Sequence, residues 1–221
     1  MKRIIMTGAS DGLGREFAKL CIAEKIEIVS LSRSKPDFSC VYLPTDLTSE
    51  ESISAAVSLI KEKYADFGAL VNCAGVFSEQ AADKITYGEL ETLMKVNSLA
   101  PIFLASKLFN LIKKNEADIL NIGSTAGLKG YPSQCTYSTS KWAIRGTSIN
   151  LQAELAKTKC RVIHFNPGGM NTSFFEKYDG TKRTDPANWM KPEDVAAVML
   201  YTLKLPKQLE VSEITINRKS A

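Results

Sequence analysis

The segment that decides the fold reads Thr7-Gly8-Ala9-Ser10-Asp11-Gly12-Leu13-Gly14 and lies between an apolar run and an amphipathic stretch. Residues 3–7 fit a short buried strand, and residues 13–24 repeat apolar side chains at helical spacing. Three glycines between a first strand and a first helix let the backbone approach a pyrophosphate at the helix N-terminus. The segment therefore predicts a nucleotide-binding βαβ unit. An ordinary glycine-rich loop is the alternative, because the spacing Gly-x-x-x-Gly-x-Gly is not the commoner Gly-x-Gly-x-x-Gly.

Strand and helix patterns alternate along the rest of the chain. The predicted strands span residues 3–7, 27–32, 41–43, 69–72, 118–122, 161–165 and 209–217. The predicted helices span residues 13–24, 49–66, 86–114, 134–157 and 192–203. This alternation predicts an α/β fold, a Rossmann-like doubly wound parallel sheet of about seven strands with helices on both faces. We expect one domain over residues 1–221, with ligands bound at the carboxyl ends of the strands.

Composition excludes several classes of protein. The net charge is +4 and the Lys and Arg residues are scattered, so nucleic-acid binding is not predicted. No apolar stretch is long enough to span a membrane. Five cysteines without Cys-x-x-Cys spacing or an export signal predict reduced thiols in the cytoplasm. His164 is the one histidine of the sequence, which excludes a multi-histidine metal site and favours a core histidine in its apolar run.

The end of the second predicted strand reads Leu31-Ser32-Arg33. An acidic residue there would bind the ribose hydroxyls of NAD(H), whereas a hydroxyl and a guanidinium suit the 2′-phosphate of NADP(H). Asp37 lies too far past the strand to serve as that acid. We therefore favour NADP(H) as the cofactor, with NAD(H) as the alternative cofactor and a solvated loop charge as the alternative role for Arg33.

Tyr137 and Lys141 are four residues apart, and Ser124 precedes the tyrosine by thirteen. Four residues is about one helical turn, so the two side chains share a helix face. An ammonium beside a phenol is expected to lower the tyrosine pKa, so that it exchanges a proton with an alcohol or carbonyl oxygen. The serine hydroxyl can stabilise charge on that oxygen. A second pair, Tyr178 and Lys182, lies in a turn-rich stretch without such a serine, and an ordinary helix contact is the alternative for either pair.

These features resemble the short-chain dehydrogenase/reductase family in its single-domain form, and the similarity runs from residue 3 to about residue 172. Asn72-Cys73-Ala74-Gly75 stands where the family has Asn-Asn-Ala-Gly, and Thr172 follows Pro167-Gly168 by four residues. The matching positions, in family order, are Gly8, Gly12, Gly14, Asp46, Asn72, Ala74, Gly75, Asn97, Ser124, Tyr137, Lys141, Pro167, Gly168 and Thr172. One of these motifs would be weak, but the ordered set makes a chance match implausible.

The resemblance implies an NADP(H)-dependent oxidoreductase that reduces a carbonyl compound to an alcohol, or the reverse, by hydride transfer. In the family's mechanism Tyr137 would be the general acid, Lys141 would lower its pKa and bind the nicotinamide ribose, and Ser124 would hold the carbonyl oxygen. Asn97 would complete the catalytic tetrad by anchoring a water, distorting its helix to do so. The implied cofactor contacts are Gly8, Ser10, Gly12, Leu13, Gly14, Arg33, Asp46, Leu47, Asn72, Ala74, Gly75, Tyr137, Lys141, Pro167, Gly168 and Thr172.

Three departures from the family pattern bear on these expectations. The chain is shorter than is usual for the family, and the difference falls in the loop after Pro167, which normally covers the substrate. Cys73 replaces an asparagine and is expected to be a buried small residue, with an oxidisable thiol near the cofactor as the alternative. Asp11 puts a negative charge where NADP-preferring relatives often carry a basic residue, which counts against NADP(H).

Two other classes of protein stay open. A non-catalytic NADP(H)-binding regulatory or sensor protein on the same fold typically lacks the tyrosine or the lysine, and this chain keeps both. A sugar epimerase or dehydratase of the related longer branch is disfavoured by the glycine spacing. Whether the protein is an oxidoreductase or an epimerase, its substrate is expected to be a small molecule. No metal, nucleic acid or membrane is expected as a partner.

The predicted lid, about residues 170–191, carries aromatic and cationic side chains. The aromatic ones suit an apolar carbonyl compound and the cations an acidic one, while packing and solvation of the lid is the alternative role for both. These residues are Phe174, Phe175, Tyr178, Trp189, Met190, Lys177, Lys182 and Arg183. Family members usually form homodimers or homotetramers through the long helices that correspond to residues 86–114 and 134–157, so we expect the same here.

Overall fold

A parallel sheet of seven strands forms the centre of the protein. The structure is a computed structural model and describes residues 1–180 and 189–219. The strands are β1 (Arg3–Thr7), β2 (Glu27–Ser32), β3 (Val41–Pro44), β4 (Ala69–Asn72), β5 (Asp118–Ile122), β6 (Val162–Pro167) and β7 (Glu213–Ile216). Their order across the sheet is β3-β2-β1-β4-β5-β6-β7. The order reverses between β1 and β4, the kind of switch point at which doubly wound folds bind ligands.

Helices cover both faces of this sheet. They are α1 (Gly12–Ala23), α2 (Glu50–Lys63), α3 (Tyr87–Met94), α4 (Ala100–Lys114), α5 (Cys135–Leu155), the short α6 (Glu176–Asp179) and α7 (Pro192–Lys204). Ile4 and Met6 of β1 belong to the core under α1 and α7, whereas Ile5 belongs to the core under α2 and α4. Alternate residues of one strand thus serve two cores, as expected for a sheet covered on both sides. The predicted fold class is confirmed.

The glycine turn joins β1 to α1 with almost no free space. A Cβ atom on Gly14 would lie 2.1 Å from the carbonyl oxygen of Gly8, and one on Gly8 would lie 2.6 Å from the backbone nitrogen of Ala74. Gly8 has a φ of +75° and Gly12 a φ of +51°, the left-handed region that favours glycine. The glycines therefore let the N-terminus of α1 lie directly against the ends of β1 and β4.

The long helical segment predicted over residues 86–114 is interrupted in the structure. α3 continues into α4 through a π-helical turn at Lys95–Leu99, which contains Asn97. Such turns insert one extra residue into a helix and occur mostly at functional sites. The interruption turns Asn97 inward, where its side chain is buried.

The last strand is shorter than its sequence pattern predicts. β7 covers Glu213–Ile216 rather than residues 209–217. The predicted start of the strand lies in a turn instead, where the backbone nitrogen of Leu209 donates to the carbonyl oxygen of Pro206 at 2.9 Å. The buried Arg161, whose Nη2 lies 2.7 Å from Asp118 Oδ2, holds this turn by donating to the carbonyl oxygens of Leu209 and of residues 203, 205 and 206. The apolar pattern could not register a contact made by a distant arginine.

Some features are absent from the part of the chain that the structure describes. Over residues 1–180 and 189–219, no helix has both the length and the apolar character needed to cross a bilayer. Within the same residues, no cluster of His, Cys, Asp and Glu side chains is placed to hold a metal ion. All five cysteines are free thiols.

Candidate active site

A cavity of about 580 Å³ opens at the carboxyl ends of the strands. It forms there because the turns that follow parallel strands all meet at one edge of the sheet. The predicted site residues that line it are Gly8, Ser10, Gly12, Leu13, Gly14, Arg33, Asp46, Leu47, Ala74, Gly75, Ser124, Tyr137, Lys141, Pro167, Gly168 and Thr172. Asn72 and Asn97 do not line it and lie behind its wall.

Ser124, Tyr137 and Lys141 meet in this cavity. Tyr137 lies in α5 with only 7% of its surface exposed, and its phenol is hydrogen-bonded to Ser124. Lys141 is one helical turn further along, with Nζ 5.7 Å from the centre of the Tyr137 ring. That ammonium donates a hydrogen bond to the carbonyl oxygen of Ile122 at 3.0 Å. A phenol, a hydroxyl and a cation are thus gathered where one substrate oxygen can contact the first two.

The electrostatics of this trio differ from the expectation drawn from sequence. Burial raises the pKa of Tyr137 to about 12, and the hydrogen bond with Ser124 offsets only part of that rise. Burial also lowers the pKa of Lys141 to about 8. The expected lowering of the tyrosine pKa by Lys141 is not found, because loss of solvation dominates and the ammonium is directed at Ile122. At neutral pH, Tyr137 is therefore a protonated phenol.

Asn97 fixes the loop after β4 to the helix that carries the tyrosine. Its Oδ1 accepts a hydrogen bond from the backbone nitrogen of Val76 at 2.8 Å. Its Nδ2 donates to the carbonyl oxygen of Val76 and to Ser140 Oγ, both at 2.9 Å. Since Ser140 is next to Lys141 in α5, one amide side chain holds two walls of the cavity together.

Asn72, which was expected to contact the cofactor, points away from the cavity. Its Nδ2 donates to Asn121 Oδ1 at 2.8 Å, and Asn121 Nδ2 donates to Ser148 Oγ at 3.0 Å. The neighbouring strand thus supplies the acceptor for the Nδ2 of Asn72, whereas its buried Oδ1 has no hydrogen-bond partner among the described residues. The chain of contacts ends at His164, whose Nδ1 lies 3.0 Å from Ser148 Oγ. Burial lowers the pKa of His164 to about 4, so it is a neutral core histidine.

Arg33 lies exposed at the end of β2 and lines the cavity. Ser32, which was expected to offer its hydroxyl to a phosphate, donates instead to the carbonyl oxygen of Ser34 at 2.9 Å. Asp37 is engaged by Arg15, whose Nε lies 3.0 Å from Asp37 Oδ1. The guanidinium of Arg33 is therefore the group at this strand end that is placed to meet a nucleotide.

Asp46 lines the same end of the cavity after β3. The backbone nitrogen and the hydroxyl of Thr48 donate to its Oδ1 at 2.9 and 2.8 Å. These hydrogen bonds hold the pKa of Asp46 below its usual value, and the charge of Arg33 acts in the same direction. The carboxylate is thus ionised and fixed in place.

Asp11 in the glycine turn is paired with the lid. Ser173 Oγ and Lys177 Nζ both donate to Asp11 Oδ2. Burial alone would raise the pKa of Asp11, but hydrogen bonds from Lys177, Ser173 and the backbone of Gly12 hold it below its usual value. The negative charge that counted against NADP(H) therefore faces a lysine ammonium. The same contacts attach residues 173–177 to the glycine turn.

The two ends of the lid meet beyond β6. Met170 and Met190 form a parallel bridge, and the backbone nitrogen of Asn171 donates to the carbonyl oxygen of Met190 at 2.9 Å. Trp189 lies against Gly169, where a Cβ atom would come within 2.2 Å of its ring. Glycine at that position thus seats the tryptophan and closes the stem of the lid.

Phe77, which follows β4, is surrounded by three aromatic rings from the lid and by the ring of Tyr137 in α5. The centre of its ring lies 5.0 Å from that of Tyr137, 5.8 Å from Phe174, 4.8 Å from Phe175 and 5.5 Å from Tyr178. We call these five residues the aromatic cluster. Tyr178 belongs to the short helix α6 rather than to the turn expected there.

Of the predicted lid cations, Lys177 pairs with Asp11, whereas Lys182 and Arg183 lie outside the residues that the structure describes. The second Tyr–Lys pair, Tyr178 and Lys182, therefore has no geometry to compare with that of Tyr137 and Lys141. Tyr178 instead donates its hydroxyl proton to the carbonyl oxygen of Glu79 at 2.8 Å. Its hydroxyl thus serves to hold the lid.

Three contributors to the site were not found from sequence. Thr7 Oγ1 accepts hydrogen bonds from the backbone nitrogens of Cys73 and Ala74, each at 3.1 Å. Ser140 holds Asn97, and Phe77 is the hub of the aromatic cluster. Thr7 has a signal in its position directly before the first glycine. Ser140 and Phe77 have none, because their roles depend on partners distant in the chain.

Burial of the Lys141 ammonium predicts a measurable stability difference. The depressed pKa means that the folded protein binds fewer protons than the unfolded chain between pH 8 and pH 10.5, so stability rises with pH across that window. Lys141→Met removes the buried charge and is expected to raise the free energy of unfolding at pH 7 by on the order of 1–3 kcal/mol. Urea unfolding at pH 7 and pH 10 measures both effects.

The difference in the free energy of unfolding between Lys141→Met and wild type is expected to be smaller at pH 10 than at pH 7, because the folded wild type has by then lost the charge on Lys141. Lys61→Met, at an exposed position of α2, serves as the matched control and is expected to change stability little at either pH. A Lys141→Met protein that is less stable than wild type at pH 7, with the same gap at pH 10, would contradict the assignment of a strained buried cation.

The amino-acid sequence is similar to those of known oxidoreductases. The sequence profile of the family described as short chain dehydrogenase matches residues 2–183. An uncharacterized oxidoreductase of Staphylococcus aureus is 26% identical over 226 residues, covering 97% of this chain and 96% of that protein. One of Staphylococcus saprophyticus is 27% identical over 232 residues, with the same two coverages.

Solved structures share the fold. A closed serine dehydrogenase complexed with NADP+ superposes with a TM-score of 0.88 at 22% identity, covering 97% of this chain and 94% of that one. An alcohol dehydrogenase of the archaeon Thermococcus sibiricus, complexed with 5-hydroxy-NADP, gives a TM-score of 0.88 at 22% identity and covers 100% of both chains. Because the family profile matches most of the sequence, this chain belongs to the short-chain dehydrogenase family of oxidoreductases.

Proposed function

We propose that this protein is an NADP(H)-dependent oxidoreductase that reduces a carbonyl compound to an alcohol, or catalyses the reverse reaction, by hydride transfer. The observation that carries the proposal is that Ser124, Tyr137 and Lys141 line the same cavity as the glycine turn. A buried phenol and ammonium alone would support many acid–base reactions. Beside a turn suited to a pyrophosphate, they support hydride exchange with a nicotinamide dinucleotide.

The residues of the turn fit such a dinucleotide. Asp11, the N-cap of α1, makes no capping hydrogen bond to the second or third residue of the helix, and residues 12–14 of the first turn line the cavity. A side chain at Gly8 would collide with the backbone of Ala74, and one at Gly14 with the backbone of Gly8, so only glycines let the helix N-terminus come this close to the strand ends. A helix N-terminus with free N–H groups and glycines of positive φ is a favourable place for a phosphate. The dinucleotide, when bound, supplies the hydride for the carbonyl carbon.

Each member of the tetrad has a role in moving the proton. Tyr137 gives its phenolic proton to the carbonyl oxygen, and Ser124 holds that oxygen by a hydrogen bond. The raised pKa of Tyr137 keeps the proton on the phenol until the oxygen gains negative charge. Lys141 stabilises the phenolate that remains, because its ammonium lies beside the ring. Asn97 positions the cavity walls through its hydrogen bonds to Val76 and Ser140; the water that the family resemblance assigns to it would have to be held by its π-helical turn rather than by its side chain.

Arg33 supports NADP(H) over NAD(H). Its guanidinium lines the cavity at the end of β2, where a 2′-phosphate attached to the adenine ribose would lie. Asp37, the nearby carboxylate, is engaged by Arg15 and does not compete for ribose hydroxyls. Asp11 is paired with Lys177 and adds no free negative charge. Structural neighbours have been solved with NADP+ and with NADH, so this chain's own residues are the better guide.

A non-catalytic NADP(H)-binding sensor is the second candidate function, since the glycine turn alone would serve it. The burial of Tyr137 and Lys141 beside each other disfavours it, because a sensor needs no buried acid. The two candidates differ in turnover. The sensor would bind NADPH tightly and reduce no carbonyl compound.

Tyr137→Phe tests the catalytic reading. Removal of the phenolic proton is expected to lower kcat by about 10²–10⁴-fold, with little change in the dissociation constant for NADPH. The measurement combines NADPH oxidation across a panel of aldehydes and ketones with titration of NADPH fluorescence. Tyr201→Phe, on the exposed face of α7, is the control and should keep wild-type rates. Tight NADPH binding by wild type with no turnover across the panel would favour the sensor.

Arg33→Ala tests the cofactor preference. Loss of a charged hydrogen bond to the 2′-phosphate is expected to lower kcat/KM for NADPH by about 10–100-fold, with little effect on NADH. Lys35→Ala, two residues along the same exposed loop, is the matched control. An equal loss with both cofactors, or a wild type that prefers NADH, would contradict the proposal.

We propose that the protein self-associates as a homodimer or homotetramer through α4 and α5. Four large apolar side chains on or next to these helices are exposed: Leu99 (50%), Ile102 (39%), Trp142 (47%) and Ile149 (51%). Because α4 and α5 contact each other, large apolar side chains exposed on both helices support an interaction surface there. Similar helices form the interface in the family that this chain resembles.

Trp142→Glu is expected to shift the protein to monomers, because a carboxylate would be buried without a partner at the interface. Sedimentation velocity measures the change in mass. Leu59→Glu, at an exposed apolar position of α2, is the control and should leave the assembly intact. A wild type that sediments as a monomer at micromolar concentration would refute the proposed assembly.

A further inference from the structure

We infer that the substrate is an uncharged aromatic, or similarly apolar, aldehyde or ketone; this inference rests on the proposed reduction of a carbonyl group. It comes from the aromatic cluster, which lies beside the Tyr137 phenol. A carbonyl oxygen that reaches this phenol places the rest of its molecule next to these rings. The walls of the cavity there decide which substituents are tolerated.

Phe77 is the fixed member of that wall. It is 7% exposed and follows Val76, whose backbone nitrogen and carbonyl oxygen are both bonded by Asn97. Its ring makes an edge-on contact with Tyr137 at 5.0 Å between centres. A planar, apolar substituent gains favourable contact with such rings and leaves no polar group unsatisfied.

Ser124 is assigned to the carbonyl oxygen, and two tyrosines of this region already donate their hydroxyl protons within the protein. Tyr131 donates its hydroxyl proton to Thr125 Oγ1 at 3.2 Å, and Tyr178 donates to the carbonyl oxygen of Glu79 at 2.8 Å. Gln134 offers one neutral amide in the lining. A polyhydroxylated substrate would therefore lose more hydrogen bonds to water than it regains, which disfavours sugars.

The charges on this side of the cavity also disfavour anionic substrates. Lys177 is paired with Asp11, and Lys141 donates to the carbonyl oxygen of Ile122. Glu79 adds an exposed carboxylate at the rim. Among the lining residues that the structure describes near Tyr137, no cation is left unpaired for a substrate carboxylate. Burial of an unpaired carboxylate is far more costly than burial of a neutral group of the same shape.

A matched pair of aldehydes tests this inference on the wild-type protein with NADPH. Methyl 4-formylbenzoate and 4-formylbenzoate have nearly the same shape and differ in charge. We expect kcat/KM for the ester to exceed that for the carboxylate by about 100-fold or more. Equal rates, or a preference for the carboxylate, would overturn the inference.

Variants of Phe77 test the wall itself. Phe77→Ala is expected to raise KM for the ester about tenfold without changing NADPH affinity, and Phe77→Leu, which keeps an apolar side chain, should raise it less. Tyr87→Ala, at an exposed position of α3, is the control. An unchanged KM for the ester in a Phe77→Ala protein that still binds NADPH as wild type does would overturn the inference.

Turnover of other carbonyl compounds separates this inference from the proposed function. Reduction of pyruvate or glyceraldehyde with no reduction of the ester would overturn the substrate class and leave the oxidoreductase function standing. No reduction of any carbonyl compound, despite NADPH binding, would refute the proposed function and the inference together.

Discussion

Close backbone contact at Gly8 and Gly14 is the constraint on which the rest of the structure depends. No side chain fits between the start of α1 and the end of β1, so the helix N-terminus is held at the cavity. Gly8 of the same turn lies against Ala74, and Thr7 Oγ1 accepts a hydrogen bond from the backbone nitrogen of Ala74. These two contacts fix the loop after β4. Through Asn97 that loop is joined to α5. The glycine turn and the helix that carries Tyr137 and Lys141 are therefore joined through one continuous set of contacts.

Stability and function oppose each other at Lys141. Desolvation of its ammonium destabilises the folded protein, and the one hydrogen bond to Ile122 does not replace the lost hydration. A phenolate at Tyr137 would pair with this charge at the moment of proton transfer. The raised pKa of the phenol and the lowered pKa of the lysine have the same cause, the loss of solvation that burial brings. The site is thus preorganised for a charge that the resting protein lacks.

Local pattern was enough to predict the sheet, because alternating strands and helices with a glycine turn leave few other arrangements. The local pattern also placed most of the candidate site residues at one edge of the sheet, because the turns that follow parallel strands all meet at that edge. It could not show that Asn72 turns inward, since that depends on Asn121 in the next strand. Nor could it pair Asp11 with Lys177, which lies 166 residues away, or find the sign of the Tyr137 pKa shift, which depends on burial.

The central claim is that this cavity passes a hydride from a reduced dinucleotide to a carbonyl carbon. Isotope transfer tests it most directly, with NADPH deuterated at one or the other face of C4 and the carbonyl compound that the protein reduces fastest. The account predicts that one of the two labelled cofactors gives an alcohol with one deuterium on its carbinol carbon, seen by mass spectrometry. Alcohol without deuterium from both labelled cofactors would contradict it.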